Sequence, residues 1–163
     1  MAKDKIEKTN VMRVLDQKKI EYGSYSYAGT DAISGVEVAG ALGQDPASVF
    51  KTLVTTGKTG EHYVFMIPVA EELDLKKAAS AAGEKSIEML KSKDLLPLTG
   101  YVHGGCSPIG MKKQFRTVVH ESAESLPKII FSAGKIGYQV ELTPSDLAKV
   151  TNCAFADLTT EHI

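Results

Sequence analysis

Residues 48–69, SVFKTLVTTGKTGEHYVFMIPV, carry the clearest strand pattern in the sequence. Two runs rich in β-branched and aromatic residues, SVFKTLVTT and HYVFMIPV, flank the polar segment GKTGE. Such runs on either side of a short glycine-containing segment predict two antiparallel strands joined as a hairpin. The sequence therefore predicts a β-sheet built around this hairpin.

Short helices are predicted on both sides of the hairpin, because their capping signals are written in the sequence. Ser34 and Glu37 form a capping box ahead of VAGALG, which Gly43 ends. Helical spacing also predicts a first helix from Thr9 or Asn10 to about Lys19, a helix from Asp74 to Gly83, and a last helix that begins at Thr143-Pro144.

The other segments predict further strands in irregular order. EYGSYSY, QFRTVVHE, KIIFSAG and GYQVEL have strand composition, YVHGGCSPIG is predicted as a strand that ends in a glycine-rich loop, and SKDLLPLTG as a short helix broken before Pro97. Strands and helices that alternate irregularly, with several tight turns, predict an α+β fold with a mixed, curved sheet.

Composition indicates one domain, with a polar tail over residues 1–8 and the folded domain over 9–163. A length of 163 residues with 43% hydrophobic content suits a single core, and the net charge of −1 argues against coating long nucleic acid. No apolar run approaches the roughly 18 residues that span a bilayer, so we expect a cytoplasmic protein. Cys106 and Cys153 form no CxxC pair and His spacing fits no ligand motif, so neither a disulfide nor a metal is expected.

The glycine-rich segment Gly104-Gly105-Cys106-Ser107-Pro108-Ile109-Gly110 is a candidate binding loop. Adjacent glycines let a backbone approach a ligand and point successive N–H groups at one place, which suits an oxyanion or a terminal ribose. A tight turn between strands explains the same residues equally well. It is not a phosphate-binding P-loop, because Met111 precedes Lys112 and a proline interrupts it.

Lys51 is a second candidate, since it lies in a predicted strand among apolar neighbours. A lysine in this setting often protects a sheet edge or extends its amine into solvent. The functional alternative is a charged donor that projects into a concave site.

Four cations and one thiol complete the candidates from residue type. Lys112, Lys113, Arg116 and Lys135 follow the glycine loop or lie in a later turn, where they would suit the phosphates of an RNA end or form ordinary solvated surface. His103 and Cys106, three residues apart, suggest a second hypothesis, a thiol hydrolase in which His103 activates Cys106. The sequence places no further group to orient His103 as the base.

Five motifs in order, VFKTL, LDLKKAA, TGYVHGGCSPIG, SAGKIG and VELTPSDLAKV, resemble those of the YbaK-type Cys-tRNA(Pro) deacylases. That family is related to the editing (insertion) domain of bacterial prolyl-tRNA synthetase. The resemblance extends from the first helix to the last. It implies an α+β domain with a mixed, barrel-like sheet surrounded by helices, and hydrolysis of the ester that joins an amino acid to the tRNA 3′ adenosine.

The resemblance also implies roles for particular residues. It implies catalytic roles for Lys51 of the FKT motif and for the loop residues Gly104, Gly105 and Ser107, and contacts to substrate from Tyr27, Phe50, Thr52, Cys106, Pro108 and Gly134. Three positions depart from the family pattern: Cys106 replaces an aliphatic residue, Ser80 a lysine, and Ala133–Ile136 a GGKR-like turn. These departures bear on RNA contact and substrate preference.

Several functions stay open within this resemblance. The favoured expectation is removal of cysteine from Cys-tRNA(Pro), and from Cys-tRNA(Cys), by attack of the substrate's own thiol, with water as the alternative nucleophile. An Ala-tRNA(Pro) deacylase and a non-catalytic module that binds an RNA end or a nucleotide are the other candidates. The expected partners are the aminoacyl-tRNA 3′ end and prolyl-tRNA synthetase, with no cofactor.

Overall fold

The computed structural model describes residues 8–28, 32 and 34–160, which form one α+β domain. Its helices are α1 (Asn10–Gln17), α2 (Gly35–Leu42), α3 (Leu75–Ala82), α4 (Ser92–Thr99) and α5 (Pro144–Thr151). Its strands are β1 (Gly23–Ser26), β2 (Phe50–Gly57), β3 (His62–Pro68), β4 (Ile87–Met89), β5 (Arg116–His120), β6 (Ile129–Ser132), β7 (Tyr138–Leu142) and β8 (Ala154–Ala156). The predicted 1–8 tail lies outside the described residues except for Lys8, whose amine pairs with the Asp16 carboxylate.

The predicted hairpin is confirmed as the centre of the larger sheet. Strands β2 and β3 pair antiparallel, with Lys51 opposite Ile67 and Thr56 opposite His62. The five strands lie in the order β4-β2-β3-β5-β8, and the β3–β5 and β5–β8 pairs are parallel. The sheet is therefore mixed, as the sequence predicted.

A second sheet separates from the first, where the resemblance implied one barrel-like sheet. Strands β1, β7 and β6 form it, and it meets the larger sheet through a bridge between Val49 and Ile130. The two sheets do not close into a barrel. This division places an opening between them, next to the start of β2.

Side-chain alternation along β3 explains why this strand is apolar on both faces. Val64 and Met66 pack with α1, the 101–115 segment and the second sheet, whereas Phe65 and Ile67 pack against α3. Each fully buried side chain of this size contributes about 1.5–3 kcal/mol. The central hairpin is therefore held from both sides, which fixes the position of β2.

The predicted caps are confirmed where the signal is local. Thr9, Asp74 and Thr143 each accept a hydrogen bond from a backbone N–H of the first helical turn, and Ser34 and Glu37 make the capping box. Gly43 and Gly83 end their helices in the left-handed conformation.

Two local predictions were wrong, and one strand was missed. Helix α4 continues through Pro97 to Thr99, because an exposed proline in a helix this short removes only one N–H donor. Residues 101–103 form no strand, and β8 was not predicted. Strand β8 has three residues and gains its stability from parallel pairing with β5, which local sequence does not encode. No helix in the described part of the chain is long and apolar enough to cross a membrane.

Candidate functional site

A cleft of about 690 Å³ opens between the two sheets. Its walls are the first half of β2, the first turns of α2 and α4, the facing ends of β6 and β7, and the glycine loop. Six of the residues proposed from sequence line it: Tyr27, Phe50, Lys51, Thr52, Gly104 and Cys106. The fold therefore brings the FKT motif and the glycine loop to one place.

The cleft follows an unpaired edge of β2. Strand β4 pairs with β2 only from Thr55 to Gly57, and the bridge to the second sheet lies at Val49. Between these contacts, residues 50–53 pair with no strand on this edge within the described chain. Side chains from both faces of β2 reach the cleft for this reason, so Lys51 and Thr52 both line it although alternation places them on opposite faces.

Lys51 has an amine without a protein partner at the cleft wall. Its side chain is partly buried, and none of the described residues forms a hydrogen bond or an ion pair with it. A cation held at the wall of a cleft can bind a phosphate or a developing negative charge. This geometry supports the functional interpretation of Lys51 over that of an edge guard.

Thr52 contributes a second polar group without a partner. Its hydroxyl oxygen is buried and has no hydrogen-bond partner among the described residues. A buried hydroxyl left in this state costs about 1–3 kcal/mol. A bound molecule in the cleft can recover that cost by bonding to the hydroxyl.

The glycine loop offers fewer free donors than the sequence suggested. Gly104 has φ +87° and lines the cleft, but the N–H of Gly105 donates to the carbonyl of Val102 at 2.9 Å. This N–H is engaged within the loop, and a catalytic role for Gly105 stays a prediction. Within the described chain, the N–H groups of Gly104 and Cys106 have no partner and remain available. Gly105 serves packing, because a Cβ there would lie 3.0 Å from the backbone nitrogen of Ile136.

Ser107, Pro108 and Gly134 lie outside the cleft. Ser107 is fully buried, and its hydroxyl accepts from the N–H of Ile109 at 3.4 Å, so it closes a turn below the loop. Pro108 is buried beside it, and Gly134 lies against the ring of Tyr101. Their placement supports the loop, and a contact of any of them with substrate stays a prediction.

Cys106 is a poor nucleophile in this environment. Burial raises the pKa of its thiol to about 12, so almost no thiolate exists at neutral pH. This environment disfavours the thiol hydrolase, and Cys106 lines the cleft as a buried residue.

Two of the four proposed RNA-binding cations are engaged within the protein. Arg116 donates to the carbonyls of Ala81 and Ala82 at the end of α3, and Lys112 donates to the carbonyl of Pro97 in α4. The ammonium groups of Lys113 and Lys135 lie over the rings of Phe115 and Tyr138, at 5.8 and 5.4 Å. None of the four lines the cleft, and their role in RNA contact stays a prediction.

Sequence analysis missed the cleft residues that the second sheet supplies. Ser132, Tyr138 and Gln139 line the cleft from β6 and β7. The Gln139 side chain is buried and its amide oxygen accepts from the amide nitrogen of Gln44 at 2.8 Å. Buried polar residues in an otherwise apolar strand were the available signal, but only the pairing of the sheets shows which cleft they face.

Fold and cleft together define a class of protein, a small α+β domain with a cleft between two sheets that a lysine and a glycine loop line. Within that class, residues 31–150 match the aminoacyl-tRNA editing domain, and the chain belongs to this family.

Relatives of the chain agree with this assignment. It is 50% identical over 164 residues, covering 99% of this chain and all of the relative, to a protein of Enterococcus faecalis that bears the provisional name Cys-tRNA(Pro)/Cys-tRNA(Cys) deacylase EbsC. It is 25% identical to a proline–tRNA ligase of Trichlorobacter lovleyi over 99 residues, which are 61% of this chain and 17% of the ligase.

A solved structure shares the fold. The crystal structure of a protein described provisionally as a trans-editing enzyme for prolyl tRNA synthetase superposes with a TM-score of 0.81, at 24% identity, over 93% of this chain and 96% of the other. The editing-domain fold that the resemblance implied is confirmed.

Proposed function

We propose that this protein is a trans-editing deacylase that hydrolyses mischarged Cys-tRNA(Pro), with Cys-tRNA(Cys) as a second substrate. The observation that carries the proposal is the set of unpartnered groups at one cleft: the Lys51 amine, the Thr52 hydroxyl, and the N–H groups of Gly104 and Cys106. The name of the Enterococcus relative supports the choice of substrate.

These groups suit hydrolysis of an activated ester. An aminoacyl ester needs its carbonyl held and the developing oxyanion stabilised, and a single donor to an oxyanion contributes about 3 kcal/mol in well-studied hydrolases. The N–H groups of Gly104 and Cys106 supply such donors from the loop. Lys51 anchors the phosphate of the 3′ adenosine or an oxygen of the substrate, and Thr52 bonds to a polar group of the substrate.

The nucleophile in this proposal is the thiol of the substrate's own cysteine. Its sulfur forms a bond to the ester carbonyl carbon, the bond from that carbon to the ribose oxygen breaks, and the ribose oxygen takes up the thiol proton. Free tRNA and a thiolactone result, and water opens the thiolactone to cysteine. The high pKa of Cys106 leaves no competing thiolate at the cleft.

Substrate-assisted attack also supplies selectivity that the cleft alone lacks. Small differences in side-chain size are worth only about 1–3 kcal/mol of discrimination, so a pocket for cysteine admits alanine and serine. An alanyl ester has no thiol, so it binds in the cleft but is cleaved more slowly than the cysteinyl ester.

The partner in this proposal is the 3′ end of the tRNA, which the cleft receives without a metal or cofactor. Prolyl-tRNA synthetase is the natural source of the substrate, and action on its product places the protein in the cytoplasm. The match to a proline–tRNA ligase supports this relationship.

The test is to incubate the purified protein with Cys-tRNA(Pro), Cys-tRNA(Cys), Ala-tRNA(Pro) and Pro-tRNA(Pro) and to measure ester loss from each. We expect rapid loss of cysteine from both tRNAs and slow loss from the other two. Preferential cleavage of Ala-tRNA(Pro) would replace the proposed substrate, and binding of tRNA without cleavage of any ester would identify a non-catalytic module.

A further inference from the structure

The side chain of Tyr101, three residues before the glycine loop, bonds to the end of that loop. The hydroxyl of Tyr101 donates to the carbonyl of Ile109 at 2.6 Å, which joins the start of the 101–110 loop to its end. The side-chain nitrogen of Asn10, in the first turn of α1, donates to the Tyr101 hydroxyl at 3.3 Å and to the carbonyl of Gly110 at 3.1 Å. We call Asn10, Tyr101, Ile109 and Gly110 the Tyr101 clamp.

The clamp is tightly packed. A Cβ on Gly110, which has φ +80°, would lie 2.5 Å from the side-chain nitrogen of Asn10 and 2.8 Å from the Tyr101 hydroxyl. A Cβ on Gly134, which has φ +89°, would lie 2.9 Å from the Tyr101 ring. The ring therefore fills the space between the glycine loop and the 132–138 turn, and it touches both parts of the cleft wall from behind.

Neither side chain of the clamp reaches the cleft. Asn10 and Tyr101 are absent from its lining, and the Tyr101 side chain is buried. Burial raises the pKa of the phenol, so the hydroxyl stays a neutral donor at neutral and mildly alkaline pH. The backbone N–H of Tyr101 is held as well, by the hydroxyl of Thr99 at 3.0 Å.

We propose that Asn10 and Tyr101 are positioning residues that hold the N–H groups of Gly104 and Cys106 in the geometry required for the ester oxyanion. The proposal rests on the proposed function. Donors stabilise an oxyanion only when they are fixed before the reaction, and glycine-rich backbone has little rigidity of its own. The clamp supplies that rigidity from behind the cleft.

Tyr101→Phe tests the clamp, because it removes one hydroxyl and leaves the buried ring. Tyr63→Phe is the matched control, since Tyr63 is also buried and its hydroxyl also donates at 2.6 Å, to the carboxylate of Glu84, which follows α3. The readouts are kcat and KM for Cys-tRNA(Pro), with Tm for both variants.

We expect both variants to lose some thermal stability and only Tyr101→Phe to lose activity. Its kcat should fall about tenfold while KM stays within about twofold, because the substrate still binds but meets misplaced donors. Asn10→Ala should lower kcat in the same direction, and the double variant should lose less than the product of the two effects. Wild-type kcat in Tyr101→Phe, or equal losses in Tyr101→Phe and Tyr63→Phe, would overturn the proposal.

Amide hydrogen exchange separates failure of this proposal from failure of the proposed function. Exchange at residues 103–107 should be faster in Tyr101→Phe than in the wild type, and unchanged in Tyr63→Phe. If the wild-type protein cleaves no ester, the proposed function fails by itself. Unchanged exchange in the loop would then overturn the clamp independently of any activity.

Discussion

The two ends of the β2–β3 hairpin differ in whether their polar groups have hydrogen-bond partners. At the turn, the Glu84 carboxylate accepts hydrogen bonds from the backbone N–H and the hydroxyl of Thr59 and from the hydroxyl of Tyr63. At the cleft end, the Lys51 amine and the Thr52 hydroxyl have no partner in the described chain. A fold rarely leaves adjacent groups in this state, so the contrast supports the proposal that the turn end stabilises the protein and the cleft end binds the substrate.

Loss of the Lys51 amine should have the largest effect on activity. Lys51→Ala is expected to lower kcat/KM for Cys-tRNA(Pro) by about 100-fold or more, because a charged donor at the reacting ester is lost. Tm should stay near the wild-type value, since none of the described residues bonds to the amine. Lys58→Ala, in the exposed turn of the same hairpin, is the control. Near-normal turnover in Lys51→Ala would return this lysine to an edge-guarding role.

Two threonines of β2 provide the sharpest test of the comparison. Thr52→Val removes the unpartnered hydroxyl, and we expect about a tenfold loss of activity with unchanged or higher stability. The hydroxyl of Thr55, three residues along, is buried and donates to the carbonyl of Tyr63 at 3.0 Å. Thr55→Val should cost about 1 kcal/mol of unfolding free energy and leave activity intact.

The threonine pair is measured by urea unfolding and by deacylation in parallel. The two variants should separate, one on activity and the other on stability. If both variants lost only activity, or both lost only stability, the distinction between the two ends of the hairpin would be wrong.

Glu84 should affect stability alone, and in a pH-dependent way. Hydrogen bonds from Thr59 and Tyr63 lower the pKa of its carboxyl. A lowered folded-state pKa means that the stabilisation is present above the ordinary carboxyl pKa and is lost as the pH falls through the folded-state value. Glu84→Gln should therefore lower Tm at pH 7, and the difference from wild type should shrink as the pH falls below the ordinary carboxyl pKa.

The Glu84 measurement is a series of thermal melts at different pH values. Deacylation by Glu84→Gln at neutral pH and at a temperature below both melting points should match the wild type. A Tm difference that is constant over the whole acid range would mean that the carboxylate contributes nothing as an ion.

Cys106 should show the smallest effect, although it lies inside the glycine loop. Cys106→Ala keeps the backbone N–H and removes a thiol that is protonated at neutral pH. We expect activity within about twofold of the wild type, with a small loss of stability from the missing sulfur. A parallel alkylation experiment should leave the native enzyme active. Abolished turnover in a folded Cys106→Ala protein would restore the thiol hydrolase.

Local features were predictable from the sequence and long-range pairings were not. The caps at Ser34 and Thr143 and the hairpin at residues 48–69 depend on neighbours a few positions apart, so the sequence carries their signal directly. The separation of the two sheets beside β2 depends on where β4 and the start of β6 contact that strand and Val49. No local sequence pattern encodes the positions of these contacts.

The residues of the candidate site also differ in whether the sequence alone could predict them. Lys51, Thr52 and Gly104 were named from their motifs, whereas Ser132 and Gln139 enter the cleft only through the pairing of the second sheet. The contacts of the long cations also depend on the fold, and their role in RNA contact stays a prediction. Arg116 follows the glycine loop in sequence, yet its guanidinium reaches the carbonyls that end α3.

The parallel strand β8 has a consequence for synthesis on the ribosome. It pairs with β5, and the residues just after it join the start of α3, where the N–H of Asp74 donates to the carbonyl of Leu158 and Leu73 bridges to Thr159. Until residues 154–156 have emerged, the edge of β5 that pairs with β8 has no strand partner, and an unpaired strand edge is open to other strands. We therefore expect a chain that ends at α5 to aggregate more readily than the full chain.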